Sequence, residues 1–431
     1  MSLAQQRDAL ALQINHRLFY GWVTLAVAAL MMFASGPGQS HMFSVFITPI
    51  SEDLGISRTS VSSAYAGATL VAAFGLPYVG RLVDRFGVRR VVLVVATLFG
   101  AAAIAFGRVG DMVTLALGFA ALRFLGQGSL MLTGANLVAQ WFSKKRGFAL
   151  SLMALGFSAS IAIHPPLAQW LIDQAGWREA WLWLGLITWL LLLPLIVILV
   201  QNKPEDLGLV PDGGDADHRT GGNPAARPAD AGLTVKQALR TPAFWIIALS
   251  FATFSMLVTG LFFHQVAIYS NRGISPQVAS WLFSISALTM VLAMPVFGRL
   301  LDHLPTKPMF AGALLTMTAA MLVLVLVRNV PTAIAYAIVF GINNAAMHTH
   351  ISYLWPHYFG RRFLGSIQGT AATIAVVGAS LGPIPLGAAY DLFGSYQGAL
   401  LLLSLLPVLC AIAVQFMQPP RLEHYPVAEP A

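Results

Sequence analysis

Hydrophobic residues follow one another along this chain in long continuous runs, which short polar segments separate. A helix needs about 20 mainly apolar residues to cross the hydrocarbon core of a bilayer. Barrel strands are shorter and alternate apolar with polar positions, so the long runs favour helices. The pattern predicts twelve membrane-spanning helices, near residues 19–47, 58–80, 89–107, 112–140, 147–172, 180–200, 242–270, 277–298, 308–327, 332–356, 364–390 and 397–417.

One longer polar segment interrupts this series, and it is rich in Gly, Asp, Pro and Ala. Such a composition is typical of a flexible connection. The division predicts an N-terminal six-helix half at 1–200, a cytoplasmic linker at 201–241 and a C-terminal six-helix half with a cytoplasmic tail at 242–431. The predicted fold class is therefore an all-α membrane protein built from two six-helix halves.

Composition supports a membrane protein, because 57% of the residues are hydrophobic and only 10% are charged. A soluble domain is about 45–50% apolar and about 25% charged. Disordered chains are polar and rich in charge, so the same numbers exclude disorder. The solvent around most of this chain is therefore lipid.

The formal net charge of +8 comes from 25 Lys and Arg against 17 Asp and Glu. If the N-terminus is cytoplasmic, nineteen of these bases fall in cytoplasmic segments and five in outer loops, while Arg123 lies within a span. Cytoplasmic loops of membrane proteins carry the excess of Lys and Arg. The charge therefore predicts cytoplasmic termini and no nucleic-acid partner. The five outer bases are Arg58, Arg108, Arg178, Arg272 and Arg328.

The two predicted halves share an internal repeat. The segment 77–84 reappears as 295–302, and 55–57 reappears as 273–275, all at an offset of 218 residues. Several matches at one offset exclude chance. Because each half has an even number of helices, the repeat is parallel, with its axis along the membrane normal. Transporters built this way bind substrate near the membrane centre between the halves and work by alternating access.

The segment Gly80–Arg90, which follows the second predicted helix, resembles the signature loop of the major facilitator superfamily. In that superfamily the loop forms a conformational latch at the cytoplasmic ends of helices, and a weaker second copy is expected in the other half. The resemblance therefore implies latch residues here. They are Gly80, Asp84, Arg85, Arg89, Arg90, Gly298 and Asp302.

Within the superfamily, Phe19–Trp22, Trp141–Ala149 and Gly176–Arg178 look like the monocarboxylate and oxalate:formate branch. This resemblance implies a small organic anion as substrate, specifically a carboxylate. The resemblance to the superfamily as a whole implies that helices one, four, seven and ten line the substrate cavity.

The anion and proton groups of animal monocarboxylate transporters are replaced in this sequence. Their helix-one Lys corresponds to His41, and their helix-eight Asp and Arg correspond to Met290 and Met294. Either the anion site has moved to Arg123 and the histidines, or the substrate is not a simple monocarboxylate.

Arg123 is the only formal charge that the pattern places deep within a span. A charge there costs about 2.5–3.5 kcal/mol on insertion scales, and such residues usually face a cavity. A guanidinium can bind a carboxylate through two parallel hydrogen bonds, and Gln127 lies one helical turn further on. The alternative is a structural arginine that helix-end carbonyls satisfy.

Histidines are the other titratable groups within the predicted spans, where no Asp or Glu lies. Histidine titrates near neutral pH, so a proton-coupled mechanism would need one of these residues. Each could instead be a neutral packing group. On the tenth helix, one face carries Asn343 with His350 and another carries Asn344 with His348. The candidate proton carriers are His41, His164, His264, His348 and His350, and the candidate substrate-binding residues are Arg123, Gln127, His41, Gln39, His264, Asn343, Asn344, His348 and His350.

The spacing of His348 and His350 does not suit a metal site, since helical residues two apart point in different directions. No metal, cofactor or catalytic set is predicted, so the chain is not expected to be an enzyme. The sequence predicts a monomeric secondary transporter in the inner or plasma membrane that moves a small organic carboxylate, either as a proton symporter or without a proton. The alternative is an efflux permease for a larger amphipathic or aromatic compound, which Met290 and Met294 favour.

Overall fold

The computed structural model describes residues 3–213, 233–360 and 363–420, and these residues form helices and no β-strand. The centre of the predicted linker, Arg361, Arg362 and most of the predicted tail lie outside the described residues. The helices are α1 (Leu3–Asn15), α2 (Gly21–Ala34), α3 (Ser40–Phe43), α4 (Ile47–Leu54), α5 (Arg58–Phe86), α6 (Val88–Phe106), α7 (Met112–Leu122), α8 (Met131–Trp141), α9 (Arg146–Leu199), α10 (Val235–Ala238), α11 (Pro242–Ser270), α12 (Pro276–His303), α13 (Thr306–Leu326), α14 (Val330–Phe359), α15 (Leu364–Leu381), α16 (Pro383–Phe393), α17 (Gln397–Leu403) and α18 (Leu405–Gln415).

Ten helices or joined helices of the described chain are long and apolar enough to cross a bilayer. The shorter apolar helix α2 begins an eleventh span. One of the ten, α9, contains 54 residues, which is more than twice the length that one crossing needs. The predicted twelve-helix fold is thus confirmed. The orientation of the termini stays a prediction.

The first span is broken into pieces rather than continuous over 19–47. Helix α2 ends at Ala34, the 3₁₀ turn Gly36–Gly38 follows, and α3 and α4 continue after it. Gly has a low helix propensity, and Pro lacks the amide hydrogen that a helix interior requires. The Gly-Pro-Gly sequence therefore ends the regular helix in the middle of the span.

Spans five and six join in the single long element α9. The break between them is at Gly176, whose φ of 81° and ψ of 163° lie outside the helical region. Positive φ is easily adopted only by glycine. The predicted separation of 147–172 from 180–200 is therefore a change of backbone direction at one residue and not a loop.

The fourth span contains a π-helical segment, Arg123–Leu130, between α7 and α8. Segments of π-helix are rare and often occur at functional sites. The two glycines at 126 and 128 weaken the regular α-helical preference in this stretch. As a result, Arg123 begins an irregular stretch of backbone.

The described residues cluster into two compact units. The first comprises Met1–Ile56 with Gly67–Asn223, and the second comprises Ser57–Ala66 with Pro224–Ala431. The start of α5 thus belongs to the second unit and the rest of α5 to the first. The predicted boundaries of the two halves and the linker stay a prediction.

An aromatic cluster packs the broken first span within the first unit. Phe43 of α3 lies 4.9 Å from Phe119 of α7, and Phe106 of α6 lies 4.6 Å from Trp181 of α9, measured between ring centroids. All four side chains are buried. Aromatic pairs at such distances stabilise a core beyond their buried area, so this cluster holds the pieces of the first span against three other helices.

The first residues after α9 fold back onto the first unit. The Asp212 carboxylate accepts hydrogen bonds from the amides of Ser143, Lys144 and Lys145, at 3.0, 2.6 and 3.2 Å. Burial alone would raise the pKa of this carboxyl, but the amide hydrogen bonds outweigh it, and the pKa is lowered from its ordinary value. The start of the predicted linker is therefore anchored to the turn that precedes α9.

Close packing of α9 on α2 gives a first prediction. A Cβ atom at Gly156 would overlap the backbone of Ala29, and overpacking costs about 1–3 kcal/mol. We expect Gly156→Ala to lower the melting temperature of the purified protein. Gly312→Ala on α13 is the control, because nothing lies within 4 Å of its Cβ position and alanine favours the helix. Equal melting temperatures for the two variants would contradict the packing.

Candidate functional site

Arg123 is buried in the first unit, with 2% of the residue's surface exposed. Its Nε donates to the Thr69 hydroxyl of α5 over 3.1 Å, and Nη1 donates to the Gly38 carbonyl over 3.1 Å. Both of these acceptors are neutral. The charged side chain therefore connects the fourth span with the second span and with the break in the first.

Glycine at position 38 allows this arrangement. A Cβ atom there would overlap the Leu122 carbonyl and come within 3.1 Å of the Gln127 amide nitrogen. The Gly36–Gly38 turn thus lies directly against the start of the π-helical segment. Any larger residue at 38 would push the Gly38 carbonyl away from Arg123.

The two predicted glutamines differ in their surroundings. Gln39 is buried, and its Nε2 donates to the Ser35 hydroxyl over 3.0 Å and contacts the Met131 sulfur over 3.2 Å. Gln127 is half-buried, and its side-chain amide forms no hydrogen bond with the described residues. Gln127 therefore keeps donors and an acceptor for another molecule, whereas Gln39 helps to hold the first span.

The structure brings two of the predicted histidines together in the first unit. The Ser160 hydroxyl lies 3.2 Å from Nε2 of His41 and 3.1 Å from Nδ1 of His164. All three side chains are buried. Arg123 lies near this pair, because it donates to the Gly38 carbonyl three residues before His41. The sequence prediction missed Ser160, although its position one helical turn before His164 places both on one face of α9.

His264 is at the centre of a separate network in the second unit. Its Nε2 lies 3.0 Å from the Pro383 carbonyl and 3.2 Å from the Ser62 hydroxyl, and its Nδ1 lies 3.5 Å from the Tyr396 hydroxyl. Arg58 donates to that tyrosine over 2.5 Å. No local sequence pattern pointed to Ser62, Arg58 or Tyr396, because they lie far from His264 along the chain.

The first polar face of α14 packs against α13. Asn343 donates to the Ala313 carbonyl and to the Thr316 hydroxyl, both over 2.9 Å. His350 stacks on Phe310 with the ring centroids 5.4 Å apart, and its Nδ1 lies 2.7 Å from the Ala346 carbonyl. These contacts fit packing groups between two helices.

The second polar face of α14 carries Asn344 and His348. Asn344 donates to the Phe340 carbonyl of its own helix over 2.8 Å. The half-buried His348 meets the ring of Phe254 in α11 edge-on, with the centroids 6.0 Å apart. The structure therefore keeps His264, His348 and His350, the predicted histidines of the second unit, in separate surroundings.

The predicted latch residues lie at the ends of α5, α6 and α12. Four of them are exposed, namely Asp84, Arg85, Arg90 and Asp302. Neither of the two aspartates forms an ion pair with the described residues. A further latch residue, Arg89, donates to the Val197 carbonyl over 3.1 Å. Nothing lies within 4 Å of a Cβ position at Gly80 or Gly298. The latch itself stays a prediction.

Residues 22–272 and 264–431 match the sequence profile of the Major Facilitator Superfamily. The chain is 24% identical to the oxalate:formate antiporter of Oxalobacter formigenes over 289 residues, which cover 66% of this chain and 64% of that protein. The chain thus spans a little under two thirds of that relative. It is also 24% identical to monocarboxylate transporter 3 of Rattus norvegicus over 393 residues, which cover 88% of this chain and 76% of that protein.

A solved structure shares the fold. The crystal structure of a bacterial homolog to the human lysosomal transporter Spinster superposes with a TM-score of 0.71. The superposition covers 94% of this chain and 97% of that one at 13% identity. At this identity the likeness concerns the fold alone.

The hydrogen bond between Thr69 and Arg123 gives a second prediction. Thr69→Val keeps the shape of the side chain but removes an acceptor from a buried charged group, which costs about 1–3 kcal/mol. We expect this variant to unfold at a lower temperature than wild type, and Thr69→Ser to stay close to wild type. Differential scanning fluorimetry of the purified protein measures both, and equal losses in the two variants would show that the hydroxyl is unimportant.

Proposed function

We propose that this chain, a member of the major facilitator superfamily and not an enzyme, is a multi-pass membrane transporter that moves a small organic carboxylate by alternating access. Two of its relatives are named for oxalate, formate and monocarboxylates. Their names support a substrate that carries a carboxylate. The feature of this chain that carries the proposal is the positive charge of Arg123 inside a span.

Arg123 has the chemistry that a carboxylate needs. A guanidinium offers five N–H donors in a planar fork that matches two carboxylate oxygens. Of its donors, one points to the Gly38 carbonyl and one to the Thr69 hydroxyl. A carboxylate is a stronger acceptor than either, because its negative charge attracts the guanidinium directly, whereas the carbonyl and the hydroxyl are neutral. Gln127, one turn away and half-buried, would donate a further hydrogen bond.

The proposed coupling ion is a proton, carried by the pair His41 and His164. The Ser160 hydroxyl lies within hydrogen-bonding distance of both rings, so a proton can pass between them through one hydroxyl. Arg123 disfavours a positive charge on His41, since like charges repel. A carboxylate bound to Arg123 would offset that repulsion and favour protonation of His41. Anion binding and proton binding would therefore support each other.

Uptake of a carboxylate panel tests the substrate class. We expect proteoliposomes with wild-type protein to accumulate at least one of formate, oxalate, lactate and benzoate. Removing one partner of a buried charge pair costs about 2–5 kcal/mol, so Arg123→Gln should reduce kcat/KM for that solute at least about 30-fold. Arg108→Gln, which changes an exposed arginine of the same unit, should leave it unchanged.

Two results would overturn this assignment. Equal uptake by wild type and Arg123→Gln would remove the arginine from the site. Transport of cationic or neutral aromatic dyes without any carboxylate transport would favour the efflux permease. A melting temperature for Arg123→Gln close to that of wild type would show that lost transport is not lost folding.

The proposed relay predicts a specific change in pH dependence. With an acidic outer side, wild-type uptake should be faster than without a pH gradient. Ser160→Ala removes the hydroxyl between the histidines and should abolish this acceleration while uptake without a gradient continues. Ser158→Ala, a buried serine of the same helix, should keep it. Acceleration that survives in Ser160→Ala would exclude the relay.

A further inference from the structure

The second unit contains a cavity of about 390 Å³ where α11 and α13 end and α17 begins. We call it the basic pocket. Small-molecule sites are typically about 300–1,000 Å³, so its volume suits a compact solute. Its polar lining residues are Asn271, Arg272, Arg328, Ser395, Tyr396 and Gln397.

Two guanidinium groups give the pocket its charge. Arg272 donates through Nη1 to the carbonyls of Leu324 and Val327, while its Nε and Nη2 make no hydrogen bond to the described residues. Arg328 is exposed, and its side chain makes no ion pair or hydrogen bond with the part of the chain that the structure describes. Burial lowers the pKa of Arg272 from its ordinary value, as expected for a guanidinium that no carboxylate compensates.

No Asp or Glu is among the described residues that line the pocket. Asp391 is an acidic residue near this region, but its carboxylate is hydrogen-bonded to the start of α5. Its carboxylate accepts from the amides of Arg58 and Thr59 over 3.2 and 2.7 Å, and from the Thr59 hydroxyl over 2.5 Å. The positive charge of the pocket therefore has no acidic partner on the pocket wall.

The position of these bases runs against the charge distribution of the rest of the chain. All three loops that form the pocket belong to the predicted outer side, which has only five bases. Two of them, Arg272 and Arg328, line the pocket, and a third, Arg58, donates to its Tyr396. The excess of Lys and Arg that sets membrane orientation lies in cytoplasmic loops, so it does not explain three arginines here. Their convergence favours an anionic ligand.

We propose that the basic pocket is an outer docking site for small carboxylates, separate from Arg123. The identity of the ligand rests on the proposed function, whereas the preference for anions rests on the pocket alone. Two guanidinium groups, two side-chain amides and the Ser395 hydroxyl supply donors for carboxylate oxygens. A cleft of one charge sign also raises the local concentration of the opposite ion. Tyr396 connects the pocket to His264.

A cysteine reporter measures the charge of the pocket directly. Cys410 is the only cysteine of the chain, so a Cys410→Ala background with Ser395→Cys places one thiol on the pocket wall. The measured quantity is the ratio of two modification rates, that of an anionic methanethiosulfonate (sulfonatoethyl) divided by that of a cationic one (trimethylammonioethyl). We expect this rate ratio to be about tenfold higher for the pocket thiol than for a control thiol. The control is Gly110→Cys in another predicted outer loop, where nothing lies within 4 Å of the Cβ position.

Two variants connect this rate ratio to the arginines. Arg328→Gln should lower the ratio several-fold without affecting folding, since that side chain has no described hydrogen bond. Adding Arg272→Gln should bring the ratio to that of the control thiol. Millimolar oxalate should slow modification of Ser395→Cys in a saturable way, whereas chloride at equal ionic strength should not. A ratio equal to that of the control thiol would overturn the proposal.

The assay uses the full purified chain, so its outcome does not depend on transport. If no carboxylate is transported while oxalate still protects the thiol, the proposed function fails and the pocket stands. If carboxylates are transported but oxalate gives no protection, the pocket proposal fails alone. Protection by phosphatidylglycerol in nanodiscs, without protection by oxalate, would assign the charge to a lipid headgroup and overturn a solute site.

Discussion

A backbone carbonyl inside a membrane needs a hydrogen-bond donor from the protein, because no bulk water supplies one there. The Gly36–Gly38 turn places the Gly38 carbonyl outside α2 and α3, and Arg123 donates to it. The same bond gives a buried charge an acceptor in a medium where charge is costly. The break in the first span and the arginine of the fourth therefore stabilise each other. The position of the Arg123 side chain thus satisfies both the carbonyl, which requires a donor, and the guanidinium, which requires an acceptor.

The first span is consequently where ligand binding can act on the fold. Under the proposed function, a carboxylate at Arg123 competes with the Gly38 carbonyl for the same guanidinium. His41, three residues after Gly38, is joined through Ser160 to His164 of α9. Binding of a carboxylate at Arg123 would thus affect both the Gly36–Gly38 turn and the pair of histidines. Under this proposal, the six residues from Gly36 to His41 contain the backbone turn, the carbonyl that contacts the anion-binding arginine and one of the two proton carriers.

The hydrophobic pattern predicted the twelve spans, because lipid imposes the same length and apolar character on each of them. The pattern could not predict that Asp212 caps the turn before α9, or that Arg58 contacts Tyr396. Those contacts join residues far apart in the chain, and the local spacing of hydrophobic residues carries no information about them. The faces of α14 were predictable from helical angles, since Asn343 and His350 both contact α13. The angles could not tell which helix each face would meet.

The internal repeat preserves the scaffold but not the chemistry. The offset of 218 residues relates Arg123 to Gly341 and His164 to Gly382. In the second unit these glycines serve close packing, since a Cβ at Gly341 would lie 2.5 Å from the Ser286 carbonyl and one at Gly382 would overlap Met256. A position without a side chain cannot hold a carboxylate. The repeat therefore provides two equivalent sets of helices, but the Arg123 guanidinium has no counterpart at the related position, and the anion site proposed there has no symmetry mate.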